Sequence, residues 1–265
     1  MNKEKNTAVV LAAGVGKRMG GNVAKQYMLL RDKPVLWYAL HAFEKANRID
    51  EVILVVGKGE IPFATKEFVE KYGFTKITKV IEGSAERYLS VWEALKGMDR
   101  TQDGYVFIHD WARPFVSEKI IEDTYKGARD HGGAVAAMPV KDTIKIADEE
   151  GFAKDTPNRK SVWMVQTPQV FERGKITEAY EKMIESLPVL TVKGVQITDD
   201  AMVMETMTGE KVKLVEASYE NIKPSVNMFF AMTGIYICAV ALADERSLSD
   251  MLMFLSCIIC SSICT

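Results

Sequence analysis

No cysteine precedes Cys238 in this chain, and the remaining three, Cys257, Cys260 and Cys264, lie beyond it. A disulfide scaffold is thereby excluded for the main body, and a reducing compartment suits it. An excess of one charge sign is missing too. The formal net charge is −2 over 265 residues, so composition does not mark a nucleic-acid binder and any basic patch must be local. There is no internal repeat and no low-complexity segment. The first residues, MNKEKNT, are charged and run straight into an apolar stretch, which is no secretory signal. The main body is therefore expected in the cytoplasm. Two common phosphate-binding motifs are also absent. No Ser or Thr follows Lys17 as a Walker loop requires, and Met19 occupies the third-glycine position of a dinucleotide fingerprint.

What is present is organised around Thr7 to Lys25, TAVVLAAGVGKRMGGNVAK. Ala8 to Leu11 is a short apolar run of the kind a buried parallel strand shows. Ala12, Ala13, Gly14 and Gly16 then remove side chains where the strand should end, letting backbone N–H groups approach an anionic ligand closely. Lys17, Arg18 and Lys25 add cations around the same turn. This reads as a cradle for a nucleoside triphosphate. An ordinary strand-to-helix turn with solvated basic residues would carry the same glycines.

Further along, Pro34 to Asn47 has a helical pattern with Leu36, Leu40 and Phe43 on one face. Strands are expected at Glu51–Val56, Lys76–Ile81, Tyr105–Ile108, Ala134–Met138 and Val212–Val215. Helices are expected over Ile61–Tyr72, from an N-cap at Ser84 to about Leu95, from Ser117 to about Arg129, over Arg173–Leu187, and from a cap at Thr198 to Gly209. Strands alternating with helices of this length predict a doubly wound, Rossmann-like α/β fold, with ligands at the carboxyl ends of the strands. Between Pro139 and about residue 168 the rhythm breaks. Two β-prone runs, Thr143–Ile146 and Val162–Val165, flank a polar, turn-rich stretch, which predicts a projecting β-hairpin arm.

Asp110 follows an apolar strand directly, and two readings fit it. One is a carboxylate holding Mg²⁺ against triphosphate oxygens, an ion that takes one or two carboxylates plus phosphate and water; the other is a turn cap. Ser84 and Ser90 offer hydrogen bonds to a base or ribose, or else to helix backbone. Arg87 is either a ligand contact or a solvated helix charge. Arg113 is expected as a structural ion-pair partner and His109 as a packed strand-end histidine.

The strings LAAGVGKRM, AKQY, AERYLS, HDWARP, PVKDTIK, VQTPQVF, TDDA and NIK occur in that order from about residue 7 to 223. Together they resemble the 2-C-methyl-D-erythritol 4-phosphate cytidylyltransferases of the non-mevalonate isoprenoid pathway, within the sugar nucleotidyltransferase superfamily. Trp111 departs from the small residue usual there. The resemblance implies transfer of CMP from CTP to a polyol phosphate, with Mg²⁺ as cofactor and a homodimer formed through the arm. It implies transition-state roles for Arg18 and Lys25. Ala12, Ala13, Gly14, Gly16, Gly83, Ser84, Arg87 and Ser90 match the nucleotide pocket, with Asp110 at the metal. Asp110, Thr143, Arg159, Thr167 and Lys223 match substrate-binding positions, Thr143 and Arg159 reaching the neighbouring subunit's substrate. Arg159 and Lys223 also count among the catalytic set. Another polyol phosphate, such as ribitol 5-phosphate, is the alternative substrate; an inactive nucleotide-binding protein is the alternative class.

Residues 1–223 are thus expected to form the catalytic domain and residues 224–265 an atypical apolar tail. Val226 to Ala243 is mostly apolar and borderline for a membrane span, and Cys257, Cys260 and Cys264 lack the two-pair spacing of a zinc site. A change of reading frame and a membrane-associating tail would each leave such a string; membrane contact is the less favoured.

Overall fold

The computed structural model describes residues 4–14 and 24–223. Gly16, Lys17, Arg18 and the whole of 224–265 lie outside the described residues, and with them the readings made of the tail.

The apolar run that opens the chain becomes β1 (Thr7–Ala12), buried along its whole length. Its side chains alternate between two cores. Ala8, Val10 and Ala12 belong to one, and Val9 and Leu11 to the other. Burial on both faces is why the run is continuously apolar rather than alternating. The same division holds for β4 (Glu51–Val56), which sends Val52, Leu54 and Val56 one way and Ile53 and Val55 the other. The first core is closed by α1 (Val35–Lys45) through Leu36, Leu40 and Phe43, by a helical segment of α2 (Ile61–Ala64) and a π turn (Thr65–Glu70) through Phe68, and by α4 (Glu118–His131). The second is closed by α3 (Arg87–Lys96), α5 (Arg173–Val192) and α6 (Asp200–Thr208). Each fully buried Leu or Phe adds about 1.5–3 kcal/mol.

Between these layers lies a seven-stranded sheet. It is completed by β5 (Ile77–Glu82), β6 (Tyr105–Asp110), β7 (Gly133–Pro139), β10 (Trp163–Glu172) and β11 (Lys213–Glu216), in the order β11-β7-β10-β6-β1-β4-β5. All neighbours are parallel except β10, which runs antiparallel to both β6 and β7. The doubly wound expectation holds, with this one reversed strand.

The reversed strand changes the reading of the arm. Val162–Val165 was expected as half of the projecting hairpin. Instead Trp163, Met164 and Val165 pair with Pro139, Met138 and Ala137 of β7, and after a register shift Gln169–Phe171 continue through the sheet. The hairpin itself is smaller, β8 (Ile146–Ala147) against β9 (Ala153–Asp155), and every residue of both strands is exposed. Asp148 shapes its turn by accepting the N–H groups of Glu150 and Phe152. A separate two-residue hairpin, β2 (Leu29–Leu30) with β3 (Lys33–Pro34), turns at Arg31 with φ of 59°. Pro34 therefore ends a strand, and α1 begins one residue later.

Two expected caps move as well. Helix α3 starts at Arg87 behind Glu86, and the Ser84 backbone N–H is bonded to Ser90 Oγ instead. Helix α6 is capped by Asp199, whose carboxylate accepts the Met202 N–H at 2.9 Å, while the Thr198 hydroxyl faces Met202 Sδ. Where Thr and Asp compete one residue apart, as Thr198 and Asp199 do, the residue in extended conformation directly before the first turn takes the cap. Ser117 caps α4 as expected. Among the described residues no helix is long and apolar enough to cross a membrane.

Candidate active site

The carboxyl ends of β1, β5 and β6 converge on one edge of the sheet, and Ala12, Ala13, Gly14, Gly83, Ser90 and Asp110 all lie there. Gly83 follows β5 and donates its N–H to Val56 O at 2.8 Å. A Cβ on it would stand 2.3 Å from Ala13 Cβ and 2.8 Å from Ser90 Oγ, so only glycine fits between the β1 and β5 ends. Gly14 is the opposite case: among the described residues nothing lies within 4 Å of where its Cβ would be. That is open space above a backbone free to approach a ligand. Ser90 is buried, accepts the Ser84 N–H at 2.9 Å and donates to Glu86 O at 3.1 Å, so its hydroxyl shapes the loop of residues 83–86. Ser84 itself is exposed at the rim.

Lys25 opens a short 3-10 turn, Lys25–Tyr27, and the residues after it are anchored on both sides. Gln26 is buried and donates from Nε2 to Ala12 O at 3.2 Å. The Tyr27 hydroxyl donates to Glu60 Oε2 at 2.7 Å, and the same oxygen accepts the Gly57 N–H at 3.1 Å. Burial, reinforced by the Glu60 carboxylate, pushes the Tyr27 phenol well above its ordinary range. The turn is thus tied to the ends of β1 and β4, with Lys25 at its head.

Asp110 ends β6 and is the electrostatic centre. Its Oδ1 accepts from Arg87 Nε at 3.0 Å and its Oδ2 pairs with Lys223 Nζ at 3.3 Å. Burial opposes ionisation, but Arg87 and Lys223 outweigh it and hold the carboxyl at about 2. Its backbone N–H donates to Thr167 Oγ1 at 3.2 Å. That hydroxyl also meets His109 Nδ1 at 3.1 Å, and His109 Nε2 meets Arg113 O at 3.1 Å. A carbonyl only accepts, so Nε2 carries the proton and Nδ1 accepts from Thr167. Full burial lowers His109 to about 4. The histidine is the packed strand-end residue expected, and its burial keeps it neutral.

Arg113 departs from expectation. Among the described residues no carboxylate bonds to it; it donates to Asn221 O at 2.7 Å and Val165 O at 3.5 Å, and burial lowers its pKa against the weaker attraction of Asp110. Asn221, fully buried, donates from Nδ2 to Gln166 Oε1 and Thr167 O, both at 2.9 Å. These bonds fix the segment that delivers Lys223. Arg87 is neither a solvated charge nor a free ligand contact, because Nε, Nη1 and Nη2 all bind carboxylates, the latter two on Asp200.

The structure therefore gathers Ala12, Ala13, Gly14, Gly83, Ser90, Arg87, Asp110, Thr167 and Lys223 in one neighbourhood. It leaves Thr143 and Arg159 apart. Thr143 is exposed beyond β7, and Arg159, in the 3-10 turn Arg159–Ser161, donates to Lys141 O at 2.9 Å with no bond to the Asp110 cluster. Asp200, Tyr180 and Asn221 escaped the sequence reading. Twin aspartates at a helix start were a visible signal, but nothing local says that Asp200 is buried. Among the described residues no three His, Cys, Asp or Glu side chains come together to hold a metal. Asp110 nonetheless suits Mg²⁺ alone: it is ionised, and its Oδ2 partner, Lys223, is mostly exposed and loosely held.

The chain matches the family model IspD: 2-C-methyl-D-erythritol 4-phosphate cytidylyltransferase over residues 6–238. The match continues past Lys223, so the boundary drawn at 223 falls inside it. A relative from Lachnospira eligens named 2-C-methyl-D-erythritol 4-phosphate cytidylyltransferase is 45% identical over 232 residues, covering 88% of this chain and 99% of that one. Among solved structures, the 4-diphosphocytidyl-2C-methyl-D-erythritol synthase of Anaerococcus prevotii superposes with a TM-score of 0.75 at 33% identity, covering 88% of this chain and 96% of that one. The Francisella tularensis 2-C-methyl-D-erythritol 4-phosphate cytidylyltransferase gives a TM-score of 0.70 at 26% identity, covering 88% and 99%.

Proposed function

The chain belongs to the 2-C-methyl-D-erythritol 4-phosphate cytidylyltransferase family, and from that premise we propose how its own residues carry the reaction. It transfers CMP from CTP to 2-C-methyl-D-erythritol 4-phosphate, giving 4-diphosphocytidyl-2-C-methyl-D-erythritol and pyrophosphate. A phosphate oxygen of the polyol attacks the α-phosphorus of CTP in line, and the bond to the β-phosphate breaks. No general base is required, because the attacking phosphate is already ionised at neutral pH. What the protein must supply is alignment and charge neutralisation of two polyanions.

The observation that carries the reading is an ionised Asp110 at the strand ends that also present the open backbone of Gly14, with a mostly exposed lysine on its outer oxygen. Cytidine is received by Ala12, Ala13, Gly14 and the loop from Gly83 to Ser90. Arg18 and Lys25 neutralise charge developing at the α-phosphate. Lys223 leaves Asp110 to meet the polyol phosphate. Asp110 would hold Mg²⁺, which when bound supplies further neutralisation of the triphosphate. Thr143 and Arg159 serve a neighbouring subunit's site in a homodimer joined through the arm, which accounts for their separation from Asp110 within one chain. The exposed Ile146 and Phe152 suit an arm that packs on a second copy. The protein is placed in the cytoplasm, and residues 1–223 hold the whole catalytic apparatus.

The test is pyrophosphate release from CTP with a panel of polyol phosphates. Release with 2-C-methyl-D-erythritol 4-phosphate well above ribitol 5-phosphate is expected; the reverse preference would overturn the substrate assignment.

A further inference from the structure

Asp200 never meets the open edge of the site, yet its bonds lead there. It is fully buried at the first position of α6. Its Oδ1 accepts from the Tyr180 hydroxyl at 2.6 Å and from Arg87 Nη1 at 2.9 Å, and its Oδ2 accepts from Arg87 Nη2 at 2.8 Å. The backbone N–H groups of Asp200 and Ala201 donate to Gln169 Oε1 at 3.0 and 2.9 Å, and Gln169 Nε2 donates to Asp199 Oδ2 at 3.0 Å. Three elements, α5, α6 and β10, thus fix one carboxylate. A guanidinium is planar, so when two of its nitrogens are clamped the direction of the third is settled. That third nitrogen, Nε, meets Asp110 Oδ1 at 3.0 Å.

We infer that Asp200 is a positioning residue for the cytidylyl transfer, which through Arg87 keeps Asp110 in one orientation with its second oxygen turned outward. The inference rests on the reading of Asp110 as part of the reaction site. A purely structural role explains the pair poorly. An ion pair with one fully buried charge gives little net stability over well-packed apolar residues of similar volume, because Asp200 loses its hydration entirely and Arg87 most of its own. What apolar packing cannot give is a donor aimed at a fixed point. Without the charge on Asp200, the Arg87 fork has Asp110 as the one carboxylate left to it among the described residues. It would then engage both Asp110 oxygens, displacing Lys223 and blocking the outward one.

The test is steady-state kinetics on Asp200→Asn, an isosteric change that removes the charge and keeps the Tyr180 contact. Turnover should fall by between about tenfold and about 10²-fold, as displacements of this size typically cost, while KM for CTP stays within about twofold. Arg87→Lys, with Asp200 intact, should lower turnover to a similar extent, since an ammonium cannot span two carboxylates with fixed geometry. In an Asp110→Asn background the loss from Asp200→Asn should shrink to less than about threefold, because residues acting through one group are not additive. Glu51→Gln is the structural control. That carboxylate is buried at the opposite end of the sheet, bonded to Thr7 and Lys5, and its loss should lower the unfolding midpoint with turnover intact. Unchanged turnover in Asp200→Asn, or a full multiplicative loss in the double variant, overturns the inference. If Asp200→Asn does not fold, Tyr180→Phe decides by the same cycle: a turnover loss that vanishes beside Asp110→Asn supports it, and unchanged turnover overturns it. A wild-type protein that releases no pyrophosphate with any polyol phosphate brings down the functional reading itself.

Discussion

Adding one carbon at Gly83 tests how the nucleotide pocket is built. Gly83 is not among the glycines with positive φ, so alanine meets no dihedral penalty there and only space matters. Its Cβ would stand 2.3 Å from Ala13 Cβ and 3.2 Å from Val55 Cγ1, against about 3.5–4.0 Å for a comfortable carbon contact. Gly83 is held by its 2.8 Å bond to Val56 O, and Ala13 continues the central strand. Relief must come from Ala13 moving outward or from Ser90 leaving the Ser84 N–H. Overpacking of this kind costs about 1–3 kcal/mol, and a lost hydrogen bond about 1 kcal/mol more. Gly83→Ala should therefore lose roughly 2–4 kcal/mol in urea unfolding, and KM for CTP should rise by about tenfold or more because Ala13 borders the pocket. Ala13→Gly on the same chain removes the nearest contact and should return most of the lost stability. A wild-type midpoint and KM for Gly83→Ala would refute the reasoning, as would a double variant weaker than either single one.

Three further outcomes are expected. His109 titrates at about 4 when folded and near 6.5 when unfolded, so the unfolded chain binds the extra proton as pH falls between them. Stability should drop by roughly 3 kcal/mol across that window, and His109→Gln should flatten the profile in urea melts from pH 8 to pH 4; parallel profiles would count against a buried neutral imidazole. Lys25→Ala and Arg18→Ala should each lower turnover by about 10²–10³-fold with little effect on CTP binding by calorimetry, and wild-type turnover in either would sink their assignment. Mixing Arg159→Ala subunits with Lys25→Ala subunits should restore a sizeable part of wild-type activity, because one site in each mixed dimer keeps both residues; mixed dimers that form without recovery would mean the arm serves its own subunit.

The sheet and its helices were legible because burial on both faces writes continuous apolar runs at β1 and β4, and Asp110 was legible because a carboxylate directly after such a run is unusual. The strand β10 was hidden. Gln166, Thr167, Pro168 and Gln169 carry no apolar run, the β-prone reading stopped at Val165, and proline argues against a central strand. They are buried because distant groups satisfy them: Gln169 the start of α6, Gln166 and Thr167 the side chain of Asn221. Asp200 was hidden for the same reason, since an aspartate in a first turn already has a sufficient local explanation in the helix dipole. Its partner is named only by tertiary structure. Ser84 and Thr198 misled by one or two positions, which is the distance over which local cap signals compete.

The cluster around Asp110 also says when in the life of the chain the enzyme comes into being. The Arg87–Asp200 and Asp110–Lys223 bonds each span 113 residues of sequence, and Thr167 reaches Asp110 across 57. Closing such loops is entropically unfavourable until neighbouring strands have paired, so these bonds form late in folding. On the ribosome, Arg87 and Asp110 emerge together and can pair at once. Asp200 and Lys223 follow only when the main unit is almost fully synthesised. A nascent chain can thus raise β1, β4, β5 and β6 while its reaction centre is still a half-paired carboxylate. The nucleotide pocket thus precedes the charged centre, which is complete only once Asp200 and Lys223 have reached Arg87 and Asp110, and ligands that need the whole site stabilise only the finished fold.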